Sequence, residues 1–477
     1  MITIDFTSRG TMGLCDYLIH SIKKQITEGV LPPETRLPSK RSLAEHLGIS
    51  VITVQNAYGR LIDEGYIYSI EKKGFFVTDI KALKGEHASK LYGLKQSAVE
   101  NSREEVSKDF LYDFTSNAVS KELFPFSQWA HLMRQVLNST NSELLKRQDV
   151  WGALELREAI RDFLSGFRNM KVKAGQIVIG AGTESLYTMI VQLFGQDKNY
   201  AVENPGYKKV YSVIKLNGAT CTPIDIDSSG MNPSLLSKMK ADIVHVSPSH
   251  HFPTGTVMPI KRRNELLSWA YEAKDRYIIE DDYDSEFRFT GKPLLPLQAL
   301  DTEGRVIYMN TFSKTLSPSF RISYMILPES LIPQFRKRLG FTSCPVSAFE
   351  QYTLSAFIRQ GFYEKHIIRM KNHYRNLRNQ FILAIQSSPL KNITEIMEEE
   401  AGLHFILKVN TQKKEEEIES SLKDKKINLP LLMDYYYDEA EDSAHREKRC
   451  CFLINYSAIQ KSQIHRIVEL MTEAMIN

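Results

Sequence analysis

The chain has 477 residues, of which 42% are hydrophobic and 25% are charged, proportions typical of globular proteins. This length predicts two or three domains, and a net charge of +4 excludes a strong attraction of the whole molecule to nucleic acid or membrane. The five cysteines show no metal-ligand spacing and no disulfide framework, and no apolar run approaches the ~20 residues that cross a bilayer. We expect a cytoplasmic protein without a signal peptide, a membrane span or a metal site.

The N-terminal segment begins with a helix, because apolar residues recur at helical spacing over 11–29 before Gly29 and two prolines. The run that follows, LPSKRSLAEHLGISVITVQNAYGRLIDEGYIYSIEKKGFFV, predicts two more helices. Ser39 caps one that ends at Gly48, and Ser50 caps one that ends at Gly65. Two short strands, 66–70 and 74–78, complete a winged helix-turn-helix over residues 1–80.

A winged helix-turn-helix places the second helix of its helix-turn-helix, here the one capped by Ser50, in the major groove of double-stranded operator DNA. The candidate contacts to phosphates and base edges are Arg41, Ser50, Thr53 and Gln55 on the helices and Lys72 and Lys73 on the wing. A small helical domain with solvated charges is the alternative. The order of caps, glycines and apolar positions resembles the GntR family of bacterial regulators, although Val51 stands where that family often has arginine.

Residues 81–109 are polar, charged and poor in large apolar groups, which predicts a linker. Fully extended, it would span on the order of 90 Å. From residue 110 onward, short apolar runs that end in polar residues alternate with helical stretches, which predicts an α/β domain with a mostly parallel sheet. Ligands bind at the carboxyl ends of such strands, so we expect the polar residues there to form one site.

The stretch YMNTFSKTLSPSFRISYMI places Lys314 in a turn between two apolar runs. A lysine whose amine is neutral forms a Schiff base with an aldehyde, whereas an isolated lysine is most often a surface residue. Arg321 offers a fork suited to phosphate, and the GAGTES turn places the backbone of Gly182 and Thr183 at a helix N-terminus, where anions bind. With the hydroxyls of Thr311 and Ser313, this combination predicts a site for an aldehyde that carries a phosphate.

Three further runs end in polar or aromatic residues. Asp281, in EDDYD, can pair with a protonated pyridine nitrogen, and Tyr283 can hydrogen-bond the phenolic oxygen of the ring; a metal site or a solvated turn is the alternative. Tyr207, in ENPGY, can stack on a cofactor, although an isolated aromatic residue at such a place more often serves simple packing. His250 is a further candidate contact, and because His250 and His251 point in opposite directions on an extended chain, they do not bind one metal.

In this order and spacing, residues 110–477 resemble a fold-type I, aspartate-aminotransferase-like protein that binds pyridoxal 5′-phosphate (PLP). A winged helix ahead of such a body is similar to the MocR subfamily of GntR regulators. The resemblance implies Lys314 as the Schiff-base lysine, Asp281 at the ring nitrogen, Tyr283 at the ring oxygen, and Gly182, Thr183, Thr311 and Arg321 around the phosphate. It also implies a homodimer, and roughly residues 340–477 as a smaller C-terminal subdomain.

The sequence departs from that pattern at the effector site. Phe252 stands where aminotransferases usually have asparagine, Lys209 stands where γ-aminobutyrate-responsive relatives have arginine, and the apolar run 431–433 falls where a second arginine is expected. Since a carboxylate needs a fixed fork, we predict that γ-aminobutyrate is not the effector. PLP itself is one candidate, and an amine or amino acid held by Arg147, Lys209 or the tyrosines 435–437 is another; packing is the alternative role for those tyrosines.

We therefore predict a PLP-dependent transcriptional regulator in which a small molecule alters the affinity of paired DNA-binding heads for a two-part operator. A working aminotransferase with an accessory DNA-binding head is the alternative. A body that only dimerises the heads is a third hypothesis.

Overall fold

The structure is a computed structural model, and it describes residues 4, 6–10, 12–79, 110–116, 122–139, 141–289, 294–398, 401–437 and 450–476. The chain divides into two compact units, Met1–Lys108 and Asp109–Asn477. The linker predicted over 81–109 lies outside the described residues. None of the helices in the described ranges combines the length and the apolar character that a membrane crossing requires.

The N-terminal unit has three helices and a three-stranded antiparallel sheet in the order β1-β3-β2. Its elements are α1 (Leu14–Thr27), β1 (Arg36–Leu37), α2 (Lys40–Leu47), α3 (Val51–Asp63), β2 (Ile67–Ile70) and β3 (Gly74–Val77). The three helices and the hairpin follow the sequence-based prediction. The two-residue strand β1 was not predicted, because so short a segment has no alternating pattern.

The caps of this unit explain where its helices begin and end. The Ser39 hydroxyl accepts a hydrogen bond from the Ser42 amide, and the Ser50 hydroxyl accepts one from the Thr53 amide at 3.1 Å. Gly48 ends α2 with φ of 65°, a left-handed conformation that suits glycine. Apolar side chains from all three helices and from the hairpin form one core.

The second unit is built on an eight-stranded sheet in the order β5-β12-β11-β10-β9-β6-β7-β8. Strands β11, β10, β9, β6 and β7 are parallel, whereas β12 and β8 run antiparallel to their neighbours. This confirms the predicted α/β class with a mostly parallel sheet. The strands are β5 (Ile177–Gly180), β6 (Asn199–Asn204), β7 (Thr220–Asp227), β8 (Gly230–Met231), β9 (Ile243–Val246), β10 (Tyr277–Asp281), β11 (Val306–Thr311) and β12 (Ser323–Ile326).

Helices cover both faces of this sheet, which is why its strands read as continuous apolar runs. In β5, Ile177 and Ile179 pack in one core while Val178 packs in the core on the opposite face. We call the sheet and these helices the large lobe. The helices are α4 (Phe126–Ser139), α5 (Asn141–Leu144), α6 (Leu154–Arg168), α7 (Thr183–Phe194), α8 (Lys208–Leu216), α9 (Pro233–Lys238), α10 (Ile260–Tyr271), α11 (Leu297–Leu300), α12 (Ile332–Leu339) and α13 (Ala348–Arg359).

A second core defines a small lobe. The long helix α14 (Phe362–Gln386) joins the lobes: Tyr363 and Ile367 pack in the large lobe, and residues from Met370 onward pack in the small one. The change of core therefore falls later than the boundary expected near residue 340, because α13 packs on α4 and α6. The remaining elements are β4 (Tyr112–Asp113), β13 (Thr394–Met397), β14 (His404–Val409), α15 (Glu415–Asp424), β15 (Ile427–Asn428), β16 (Cys451–Asn455) and α16 (Ile464–Ile476).

Candidate cofactor site

A cavity of about 370 Å³ lies where the strands of the large sheet end, with residues of the small lobe on its other side. This is the edge at which open α/β sheets bind ligands. The structure brings together most of the predicted site residues in its lining: Thr183, Tyr207, Lys209, Asp281, Tyr283, Thr311, Ser313, Lys314 and Arg321.

Lys314 follows β11 directly, in a turn that its neighbours hold in place. The Thr311 hydroxyl donates to Ser313 Oγ at 3.0 Å and accepts from the Ser323 hydroxyl at 2.8 Å, which ties the turn to β12. Removal of water around the lysine amine lowers its pKa to about 8, although the Asp284 carboxylate opposes this change. A substantial fraction of the amine is therefore neutral near pH 8, as reaction with an aldehyde requires.

Asp281 ends β10, and its two carboxylate oxygens differ. Oδ2 accepts a hydrogen bond from the Tyr187 hydroxyl at 2.7 Å, and His245 Nε2 lies 2.9 Å from that same hydroxyl. Oδ1 is buried and accepts no hydrogen bond from any residue in the described part of the chain. A buried carboxylate oxygen left without a donor is costly, and the N–H of a protonated pyridine ring is a donor that suits it.

The N-terminus of α7 and Arg321 form an anion-binding corner. Gly182 precedes α7 with φ of 83°, a conformation that favours glycine, and a Cβ built there would clash with the present position of the Arg321 guanidinium. Arg321 and Lys209 both pair with Glu184, whose pKa burial would raise but which these hydrogen bonds hold below its usual value. Helix N-terminus and cations together suit a phosphate.

These residues fit PLP. The lysine amine suits its aldehyde, the free oxygen of Asp281 suits its ring nitrogen, and the corner formed by Gly182, Thr183 and Arg321 suits its phosphate. When bound, PLP supplies an aldehyde and an electron-accepting ring. In such a complex the chain would contribute the nucleophilic amine of Lys314, the Asp281 carboxylate that would keep the ring nitrogen protonated, and the phosphate contacts that would orient the ring.

Aromatic side chains line part of the cavity. The Tyr207 ring is 42% exposed and meets Phe252 edge to face with centroids 5.9 Å apart, and Tyr435 meets Phe252 at 5.0 Å. Tyr435 and Tyr437 line the cavity, whereas Tyr436 is buried away from it. From the small lobe, the lining also takes Leu453 and Asn455.

Three predicted residues are absent from the lining: Gly182, which lies at the anion-binding corner, His250 and Arg147. His250 does not line the cavity: its Nδ1 lies 2.7 Å from Asp284 Oδ2, behind Tyr283, and the adjacent His251 lines the cavity instead. Arg147 is an exposed residue whose guanidinium donates to Ser343 Oγ at 2.6 Å and to the Phe341 carbonyl. It is held by these partners outside the cavity. The residues 431–433, where an arginine was expected, are also absent from the lining.

Sequence analysis did not identify Tyr187, His245, His251 or Glu203 as site residues. His245 had a signal, because it is a polar residue inside an apolar strand run. Tyr187 had no such signal, since a tyrosine on the inner face of a helix is interpreted as a core residue. Glu203, at the end of β6, lines the cavity, and burial raises the pKa of its carboxyl to about 8.

The predicted DNA contacts all lie in the N-terminal unit. Arg41 is exposed at the start of α2, Gln55 is exposed on α3, and Lys72 and Lys73 are exposed in the turn of the wing between β2 and β3. The hydroxyl groups of Ser50 and Thr53 are hydrogen-bonded to each other at the start of α3, with their oxygens 2.9 Å apart.

Comparison with known families assigns both units. The family "Bacterial regulatory proteins, gntR family" matches residues 16–77, and "Aminotransferase class I and II" matches residues 111–434. The HTH-type transcriptional regulator YdeL of Bacillus subtilis is 36% identical over 89% of this chain and 90% of its own. The pyridoxine biosynthesis regulator PdxR of Corynebacterium glutamicum is 28% identical over 89% of each chain.

Solved structures resemble the second unit in fold. An archaeal alanine:glyoxylate aminotransferase superposes with a TM-score of 0.67 at 22% identity, covering 81% of this chain and 95% of its own. The kynurenine aminotransferase of Pyrococcus horikoshii gives the same TM-score over 82% and 98%. The match to the aminotransferase class I and II family assigns PLP as the cofactor of the aminotransferase-like body. The chain belongs to the GntR-family transcriptional regulators of the MocR subfamily, in which a DNA-binding head precedes an aminotransferase class I and II domain.

Proposed function

We propose that this regulator is cytoplasmic and senses PLP, or an amine or amino acid that reacts with PLP held at Lys314, and that ligand binding changes the affinity of its head for operator DNA. One observation carries this proposal: Lys314, Asp281 and Arg321, distant in sequence, line a single cavity in a chain that begins with a GntR-type head. Ligand binding shifts the regulator only if the two conformations of the body bind the ligand unequally.

The positively charged residues of the cavity are already assigned to the phosphate and the aldehyde of PLP, which supports an effector that is not held by its carboxylate. Among the residues that the structure describes, the lysines and arginines in the lining are Lys209, Lys314 and Arg321. Arg321 and Lys209 share Glu184 and lie at the phosphate corner, and Lys314 is the aldehyde-binding residue. This is consistent with the prediction that γ-aminobutyrate is not the effector. PdxR is named for pyridoxine biosynthesis, which supports PLP as the first candidate.

We also propose that the protein acts as a homodimer with two heads on a two-part operator. Large apolar side chains are exposed on neighbouring segments of the large lobe: Leu145 is 85% exposed and Phe341 is 77% exposed. Arg147 bonds to the Phe341 carbonyl and so joins these two segments. Exposed apolar groups that lie together favour a protein interface.

An aminotransferase activity is the second candidate, and the complete set of Lys314, Asp281 and a phosphate corner favours it. Phe252 at the substrate side argues against it, because a phenyl ring cannot hydrogen-bond the ring oxygen or a substrate. Turnover of an amino donor with a keto acid at an ordinary enzymatic rate would support this candidate.

The experiment that tests the proposal combines spectroscopy with DNA binding. Wild-type protein and Lys314→Ala are titrated with PLP while visible absorption is recorded, and operator affinity is measured by fluorescence anisotropy with and without PLP and candidate amines. We expect an absorption band and a PLP-dependent change in DNA affinity only in the wild type. A Lys314→Ala variant whose DNA binding responds as the wild type does would contradict the proposed role of Lys314.

A further inference from the structure

Asp284 and His250 form a buried pair next to the site but outside the cavity lining. Each is only 4% exposed, and His250 Nδ1 lies 2.7 Å from Asp284 Oδ2. The other ring nitrogen of His250, Nε2, is buried and has no hydrogen-bond partner among the described residues. The hydrogen bond through Nδ1 is therefore what orients this histidine, and it fixes the carboxylate of Asp284 in turn.

The pair touches two residues of the cofactor site. The Tyr283 hydroxyl lies 3.2 Å from His250 Nδ1 and is hydrogen-bonded to Asp284. Burial and the Asp284 charge together raise the pKa of Tyr283 well above its usual value, so its proton is retained. The negative charge of Asp284 also acts on Lys314, where it opposes the effect of burial on the amine. The Asp284 carboxylate thus accepts the hydrogen bond of the tyrosine and favours the charged form of the lysine.

The small lobe holds this pair from the other side. Gly402 has φ of 73°, and a Cβ built there would lie 2.1 Å from His250 Cε1 and 2.7 Å from Asp284 Oδ2. The Gly402 backbone is fixed by two hydrogen bonds, one from the Tyr456 hydroxyl to its carbonyl at 2.8 Å and one from its amide to the Phe287 carbonyl. His404, whose ring centroid is 4.9 Å from that of His250, has a pKa far below its usual value because of burial, so it adds no charge.

We propose that Asp284, oriented by His250 and held in place by Gly402 of the small lobe, is a positioning residue that holds the Tyr283 hydroxyl and favours the protonated form of the Lys314 amine. The inference rests on the proposed role of Lys314 as the residue that binds PLP. A carboxylate close to a buried amine stabilises the protonated form, and a charge-assisted hydrogen bond from a buried histidine keeps that carboxylate in one orientation. A change in the packing of the small lobe therefore reaches Lys314 through this pair.

The charge of Lys314 can be measured without PLP. Full-length PLP-free protein is labelled with trace acetic anhydride between pH 6 and pH 10, and the rate at Lys314 is read by mass spectrometry, since only the neutral amine reacts. We expect Asp284→Asn to lower the apparent pKa of Lys314 by about 1 unit. At pH 7 this raises the labelling rate of Lys314 about fivefold. In the PLP-loaded protein, the midpoint of the pH titration of the visible band should fall in parallel.

Matched variants separate positioning from folding. His250→Asn retains an N–H donor near the position of Nδ1 and should behave as wild type, whereas His250→Phe keeps a ring but no donor and should resemble Asp284→Asn. Gly402→Ala should shift the pKa of Lys314 in the same direction, because its methyl group displaces the pair. Glu303→Gln, which replaces an exposed carboxylate outside the cavity lining, should leave the labelling of Lys314 unchanged.

Equal pKa values of Lys314 in wild type, Asp284→Asn and His250→Phe would overturn the inference, as would equal shifts in His250→Asn and His250→Phe. These outcomes leave the proposed function intact if the wild type still forms its band with PLP. A wild type that forms no band with PLP would contradict the proposed function instead. Thermal melting of each variant shows that the measured protein is folded.

Discussion

At the scale of single residues, the proposed role of Lys314 makes the rate of PLP uptake depend on the charge of its amine. Its pKa of about 8 lies well below the ordinary value for lysine because the amine has little contact with water. We predict that the rate of PLP association rises as pH increases from 6 to 8 and then levels off, since the neutral amine is the reactive form. An exposed lysine would give a rate that continues to rise toward pH 10. Stopped-flow absorption at a series of pH values measures the profile.

Asp281 carries the second residue-scale prediction. Its Oδ1 atom has no hydrogen-bond donor among the described residues, while Oδ2 accepts from Tyr187. Asp281→Asn keeps the packing and an acceptor for Tyr187 but cannot hold a proton on the ring nitrogen by charge. We expect PLP affinity to fall about tenfold or more, in the range for a buried charge-assisted hydrogen bond. Equilibrium titration of absorption measures it, with the exposed Glu303→Gln as control.

Individual residues also show what the sequence can predict. Lys314 and Arg321 were singled out because an amine that can react with an aldehyde and a guanidinium that can bind phosphate lie seven residues apart between two apolar runs. Of the adjacent histidines, His250 was predicted as a cofactor contact, whereas the structure places His251 in the cavity lining. Neighbours on an extended chain face opposite sides, and the side that faces the cavity depends on the path of the loop in three dimensions. Tyr187 was missed because its role comes from contact with Asp281, which is 94 residues away in sequence.

At the scale of elements, the first turn of α3 is unusual in its exposed apolar side chains. Ile52 is 71% exposed and Val51 is 42% exposed, although the inner residues of the same helix are fully buried. In a winged helix this turn faces base edges, and aliphatic side chains there suit the methyl group of thymine. We predict that Ile52→Ala weakens binding to an operator selected from a random duplex pool, whereas Asp63→Ala, near the end of the same helix, does not.

Uracil in place of thymine provides the matched control for this prediction, because it removes only the methyl group. A thymine-to-uracil change that weakens binding of the wild type through Ile52 should leave the operator affinity of Ile52→Ala unchanged. Loss of one buried methyl contact corresponds to a change in affinity of about fourfold. An operator whose affinity is insensitive to every thymine-to-uracil change would contradict the prediction.

Elements were predicted best where they are long and regular. The helices of the head and the parallel strands of the large sheet have clear periodicities and clear ends. Other features have no recognisable pattern in the local sequence. These are the two-residue strands β1 and β4 and the point where α14 passes from one core to the other. Those features depend on contacts between segments that are remote in sequence.

At the scale of the whole molecule, the two compact units should respond separately to the cofactor. PLP binds only the second unit, so it stabilises only the native state of that unit. At a concentration a hundred times its dissociation constant, we expect PLP to raise the melting temperature of that unit by about 3 °C and to leave the transition of the head unchanged. Differential scanning calorimetry with and without PLP measures both transitions. A single transition that shifts as a whole would contradict independent units.

Strand β4 is the first element after residues 80–109, and it pairs with β15 of the small lobe. The Leu111 amide donates to the Lys426 carbonyl at 2.9 Å, the Phe114 amide donates to the Asn428 carbonyl at 2.9 Å, and the Asn428 side chain donates to Asp113 Oδ1 at 2.8 Å. Residues 111–114 are thus hydrogen-bonded to the small lobe, and Phe114 also lines the cavity. A rotation of the small lobe would therefore move this N-terminal end of the second unit together with one wall of the cavity.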